Sequence, residues 1–104
     1  MLAEANYLVA KSAGLDRDGF LADETLKRAF IRSIEIIGEA TKHVADDFRQ
    51  QHPEIEWRAM AGMRDRLIHG YFGVDDELVW DVVVNKIPSL GEQLSRILTE
   101  IDRE

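Results

Sequence analysis

The chain has 104 residues, no cysteine and a formal net charge of −7. A chain of this length buries roughly two-thirds of its unfolded surface, enough for one domain over residues 1–104 without covalent staples. Without cysteine there are no disulfides, thiolate zinc sites or cysteine nucleophiles, and a reducing cytoplasm is the expected location.

The N-terminal stretch carries Glu4 and Asn6 among its apolar residues and lacks a basic start, so it does not read as a secretory signal. No run approaches the roughly 20 apolar residues of a membrane span. The acidic balance argues against a surface that grips nucleic acid everywhere, so any such contact must be local. Asp16, Asp18, Asp23 and Glu24 form one acidic group and Asp75, Asp76 and Glu77 another, while Arg58, Arg64 and Arg66 cluster in the third quarter of the chain.

Helical spacing recurs from end to end, and strand-like alternation is hard to find. The first helix spans Leu2 to Ser12, with Leu2, Ala5, Leu8 and Val9 on one face, and closes near Gly14. Leu15 to Ala22 reads as a connector. The second helix starts at the N-cap Asp23, with Glu24 next to the positive helix end. Its stripe of Leu26, Phe30, Ile34, Ile37, Thr41, Val44 and Phe48 predicts one continuous central helix that stops before His52-Pro53. The third helix runs from Trp57 to His69 or Gly70, buried through Ala59, Met60, Met63, Leu67 and Ile68. The fourth starts at the N-cap Asp75, with Val74 placed to staple onto Val79. It buries Val79, Val82, Val83, Ile87, Leu90, Leu94, Ile97 and Ile101, and Pro88 predicts a kink or split near Asn85 to Ile87. The expected fold is all-α, an antiparallel up-and-down four-helix bundle.

The chemistry concentrates in Arg64-Asp65-Arg66-Leu67-Ile68-His69-Gly70-Tyr71. A phosphate-binding cation, a group that moves protons near neutral pH and a modifiable phenol fall within two helical turns, a combination that points to RNA. On a helix, Asp65 and His69 share a face, so the carboxylate can fix the imidazole tautomer; Arg64 lies about 140 degrees from His69 and must swing its stem around. Cleavage of RNA without a metal requires a base, an acid and a cation for the phosphorane charge. Arg64 and His69 supply part of that set, and a two-fold partner would supply the rest, which places the site at a homodimer interface. Read from the residues alone, an Arg and a His near a helix end are more often partners of the negative end of the dipole than a catalytic pair. Tyr71 and Phe72 fit packing roles, and Arg66 a solvated or RNA-facing charge.

Arg64-x4-His69-x-Tyr71 resembles the R-x4-H-x-Y motif of the HepT family in the HEPN superfamily, toxins paired with minimal nucleotidyltransferase (MNT) antitoxins. Ile34-Glu35-Ile36-Ile37-Gly38-Glu39-Ala40, Pro53-Glu54-Ile55 with Trp57, Ala61-Gly62-Met63, and Val74-Asp75 followed by Val79-Trp80 are similar to that family as well. The resemblance implies a HEPN-like helical homodimer acting as a metal-independent RNA endonuclease without a cofactor, with Arg64 and His69 as the catalytic pair. It implies that Tyr71 accepts AMP from the antitoxin, which adds bulk and negative phosphate where RNA must approach. Asp65 stands where members often carry Asn, keeping an acceptor and adding charge near the RNA path. The first helix is short for the family.

Among the other polar residues, Glu39 is expected as a buried or cleft-lining partner of Arg64 or Arg66. Glu39 and His43, four apart, lack the second copy that a di-metal bundle needs, so no metal is expected. His43 and His52 read as exposed, and Trp57 and Trp80 as core or interface anchors. The competing function is a non-catalytic helical module that dimerises and binds a nucleotidyltransferase. A helix-turn-helix DNA binder is disfavoured because no helix is basic enough to serve for recognition.

Overall fold

The computed structural model describes residues 1–67 and 73–103, the side chains of 102 and 103 excepted. These residues form seven helical segments: α1 (Leu2–Ser12), α2 (Arg17–Leu21), α3 (Glu24–Lys42), α4 (Asp46–Gln51), α5 (Trp57–Leu67), α6 (Asp76–Asn85) and α7 (Ile87–Arg103). The protein is all-α, as its periodicity predicts. The four expected helices become seven because one short helix occupies the connector after the first, and the second and fourth expected helices are each divided in two. No helix among the described residues is long and apolar enough to cross a membrane.

α1 has the expected bounds, and the chain leaves it through Gly14 at φ +79°, a left-handed position that suits glycine. The connector that follows is not structureless. Asp16 accepts a hydrogen bond from the Gly19 backbone N–H at 2.7 Å and starts α2, which drives Phe20 into the centre of the core. Phe20 stacks on Phe30 of α3 and on Trp80 of α6, with ring centroids 5.1 and 5.3 Å away. One side chain therefore joins three helices, and Trp80 is an anchor as expected.

Asp23 caps α3 by accepting from the Leu26 N–H at 3.0 Å. The helix buries Phe30, Ile34, Ile37 and Thr41 on the predicted stripe. It is not continuous to Phe48, however, and this corrects the reading from periodicity. Thr41 turns its hydroxyl back to the Ile37 carbonyl at 2.8 Å, and Arg49 folds over the helix end to donate to the carbonyls of Thr41 and Val44 at 2.5 and 3.1 Å. A side-chain cation thus satisfies carbonyls that the next turn would have used. Asp46 and Asp47 then favour a new N-terminus, that of α4. The apolar period persists across the break because Val44 and Phe48 still pack against the core.

His52 is not the exposed residue expected from its neighbours. Its ring lies 4.6 Å from that of Phe48, and its carbonyl accepts a hydrogen bond from Trp57 Nε1 at 2.9 Å, which fixes the start of α5. At the other end, Asp75 caps α6 through the Leu78 N–H at 3.1 Å. The division between α6 and α7 falls at Lys86, within the predicted window. Pro88 then sits in the first turn of α7, where a missing N–H costs nothing. The predicted inner stripe is buried from Val79 to Ile97, whereas Ile101 is 47% exposed, because α7 outruns the elements packed against it.

Candidate active site at the end of the fifth helix

α5 buries Trp57, Met60, Met63 and Leu67 against the core and presents Arg58, Arg64, Asp65 and Arg66 to solvent. Its distance from α3 is set by Gly38, where an added Cβ would lie 3.4 Å from the Met60 carbonyl oxygen. Backbone meets helix surface there with no side chain between, so the height of α5 over α3 leaves little latitude.

Arg64 occupies the last turn of α5, at the negative end of the helix dipole. Its side chain is 52% exposed, and its Nη1 lies 3.6 Å from Asp65 Oδ1, on a carboxylate that is 79% exposed. Such a loose, wet pair contributes at most about 1 kcal/mol. An incoming phosphate, which accepts two parallel hydrogen bonds from a guanidinium, competes with it readily. Asp65 therefore faces Arg64 among the described residues and tempers its charge.

Arg66 follows a different course. Two residues on, it lies about 200 degrees around the helix from Arg64. It lines a hollow of about 170 Å³ between α5 and α6 that Glu56, Asp81 and Lys86 rim and Met60, Met63 and Leu78 floor. The arginine cluster seen in the sequence is thus distributed over different faces of one helix. Glu39 is likewise placed elsewhere than expected: it is exposed, and its Oε1 lies 3.5 Å from Nε2 of His43, the residue that caps the end of α3, instead of beside Arg64 or Arg66. The neighbouring Gly38 takes the buried position, which turns Glu39 outward. Among the described residues no three metal-capable side chains gather.

Ile68, His69, Gly70, Tyr71 and Phe72 lie outside the described residues, so the expectations for His69 and Tyr71 and the final turn of the third predicted helix fall there. The two ends of this stretch are well defined. The Asp75 N–H donates to the Leu67 carbonyl at 2.9 Å, so α6 begins where α5 ends. Gly73, at φ +82°, supplies the left-handed turn before it.

The first turn of α6 is held by two cations that the sequence did not mark out. Lys27 of α3 reaches Asp76 Oδ2 at 3.5 Å and Glu24 Oε1 at 2.7 Å, and Arg17 of α2 pairs with Glu77. The hydrogen bond and charge of Lys27 hold the Glu24 carboxyl below its ordinary range, and the hydrogen bond to Glu24 raises the Lys27 ammonium above its own. The local i,i+3 spacing of Glu24 and Lys27 was legible, but the link to Asp76 needs the tertiary fold. The two acidic groups of the sequence are thereby brought together around Arg17 and Lys27.

Comparison with known proteins gives a consistent family. The family described as HepT-like, ribonuclease HepT-like, matches residues 1–97. A protein of Caldanaerobacter subterraneus subsp. tengcongensis named "Putative RNase" is 43% identical over 98 residues, which cover 94% of this chain and 88% of that relative. A "Probable ribonuclease HepT" of Thermococcus cleftensis is 50% identical over 80 residues, covering 77% of this chain and 73% of the relative. Another "Putative RNase", of Methanocaldococcus jannaschii, is 38% identical over 104 residues, covering all of this chain and 90% of the relative. No solved structure matches the chain.

Proposed function

This chain belongs to the HepT-like ribonuclease family, and on that premise we propose that it is a metal-independent RNA endonuclease and the toxin of a toxin–antitoxin pair. The observation that carries the reading is Arg64. It opens the R-x4-H-x-Y motif, and its guanidinium stands half exposed at the end of a helix whose other face is sealed in the core.

In this reading residues 1–104 are one HEPN-like domain, with α1, α3, α5 and the α6–α7 pair as an antiparallel four-helix bundle. His69 takes the proton from a ribose 2′-hydroxyl; the 2′-oxygen bonds to phosphorus, and the bond to the 5′-oxygen breaks as that oxygen receives a proton. Arg64 stabilises the charge on the non-bridging oxygens. A second copy of the chain supplies the matching acid, so the active form is a homodimer. Asp65 and Arg66 act around this pair, Asp65 by moderating the charge of Arg64. Tyr71 is the site of restraint: its hydroxyl attacks the α-phosphorus of ATP in a nucleotidyltransferase partner, pyrophosphate leaves, and the AMP ester blocks the approach of RNA.

The test uses purified protein on tRNA and mRNA in the presence of EDTA. Cleavage is expected from the wild type and a loss of at least 100-fold from Arg64→Ala and His69→Ala, with unchanged helical content. Equal cleavage by both variants rejects the assignment. Incubation with a cognate nucleotidyltransferase and ATP should add AMP to the peptide holding Tyr71. Modification without any cleavage by the unmodified protein would favour a non-catalytic partner module, a reading consistent with the net charge of −7.

A further inference from the structure

His69 and Tyr71 sit in the seven-residue stretch 68–74, between Leu67 and Asp75, whose backbones are joined by the 2.9 Å hydrogen bond from the Asp75 N–H to the Leu67 carbonyl. We propose that Lys27 and Arg17 are positioning residues for the nuclease, tethering the first turn of α6 so that both ends of the motif stretch are held in register. The inference rests on the nuclease reading above.

Three observations support the tether. First, the two cations come from different helices and take consecutive residues: Lys27 of α3 pairs with Asp76, and Arg17 of α2 with Glu77. Second, Lys27 is not an ordinary surface lysine. Its side chain is 15% exposed and lies between Glu24 and Asp76, so its stem is packed and its ammonium has little freedom. Asp76 is 32% exposed, so this pair is partly shielded, whereas Glu24, at 73%, stays in water. Third, Asp76 lies one helical turn before Trp80, whose ring stacks on Phe20. The start of α6 is therefore fixed by charge at its first turn and by aromatic packing at its second. Asp75, the capping residue, directly precedes Asp76 and accepts from the Leu78 N–H.

Leu67 is buried in the core, so one end of the stretch is fixed by packing as well as by its hydrogen bond from Asp75. The other end depends on where α6 begins, and α6 begins where Lys27 and Arg17 hold it. Displacing a catalytic group by about 1 Å costs up to roughly 100-fold in rate. Loosening the tether should therefore lower turnover while leaving RNA binding largely intact.

The experiment separates positioning from simple electrostatics by using two variants of opposite charge. Lys27→Met removes a positive charge and keeps the stem; Asp76→Asn removes a negative charge. If Lys27 only attracts RNA, the first raises KM and the second lowers it, with kcat unchanged; that result overturns the proposal. If the pair positions the site, both lower kcat by roughly 10- to 100-fold with KM within about twofold, and Lys27→Arg restores most of it. A double variant no slower than either single one is expected, because both break one link. Amide exchange gives a readout independent of activity: protection of the Asp75 N–H should fall at least tenfold in both variants. Should the wild type cleave no RNA, the nuclease reading fails. The exchange measurement then decides the tether alone, and unchanged protection at Asp75 would overturn it.

Discussion

Gly38 is where a single methyl group and a single isobutyl group should have effects of opposite sign. Glycine inside a helix costs about 0.5–1 kcal/mol relative to alanine through its conformational entropy. The Cβ of Gly38→Ala would lie 3.4 Å from the Met60 carbonyl oxygen and 3.7 Å from that of Ala61, which is ordinary van der Waals contact. Helix propensity therefore decides, and the alanine variant should be more stable by up to about 1 kcal/mol, or roughly 4–8 °C in Tm for a domain near this size. Gly38→Leu extends past Cβ into two backbone carbonyls, which cannot turn aside as a side chain can. Overpacking of this kind costs about 1–3 kcal/mol. Urea unfolding followed by circular dichroism measures both. Because α5 carries Arg64, the leucine variant should also lose cleavage activity beyond what its folded fraction explains. An alanine variant destabilised by more than about 1 kcal/mol, or a leucine variant as stable as the wild type, would refute the packing argument.

Phe20→Ala should destabilise the protein by about 3–5 kcal/mol, since the ring is fully buried between Phe30 and Trp80, and thermal unfolding would detect it. Arg49→Met keeps the stem but strips the carbonyls of Thr41 and Val44 of their donors, so a loss of about 1–2 kcal/mol and faster amide exchange in the last turn of α3 are expected. The stabilisation from Glu24, whose folded pKa is lowered, is present above its unfolded value and fades as pH falls through the lowered one. That from Lys27, whose folded pKa is raised, is present below its unfolded value and fades as pH rises through the raised one. Both transitions lie outside about pH 5–8, so a rate profile that bends within that range does not report the tether. NMR titration of the Glu24 carboxyl checks the sign, and a midpoint above 4.5 would contradict it.

The sequence alone determined whatever depends on near neighbours. Helix identity, the caps at Asp23 and Asp75, the bounds of α1 and the break before Pro88 follow from periodicity and from side chains three or four residues apart, interactions that each segment carries with it. The motif that points to Arg64, His69 and Tyr71 is local in the same way. The tertiary structure decided what depends on which helices meet. Phe20 read as part of a connector because five residues are too few to show a period, and only Phe30 and Trp80 make its burial favourable. The α3 stripe continues through Val44 and Phe48 although the helix stops at Lys42, because apolar spacing records the side facing the core and not whether backbone hydrogen bonds are unbroken. Glu39 points outward because Gly38 takes the close contact with α5, and Lys27 finds Asp76 only when α3 and α6 are brought together. Pairing across the chain costs loop entropy that only a whole packed core offsets, which is why these links appear in the fold and not in the order of residues.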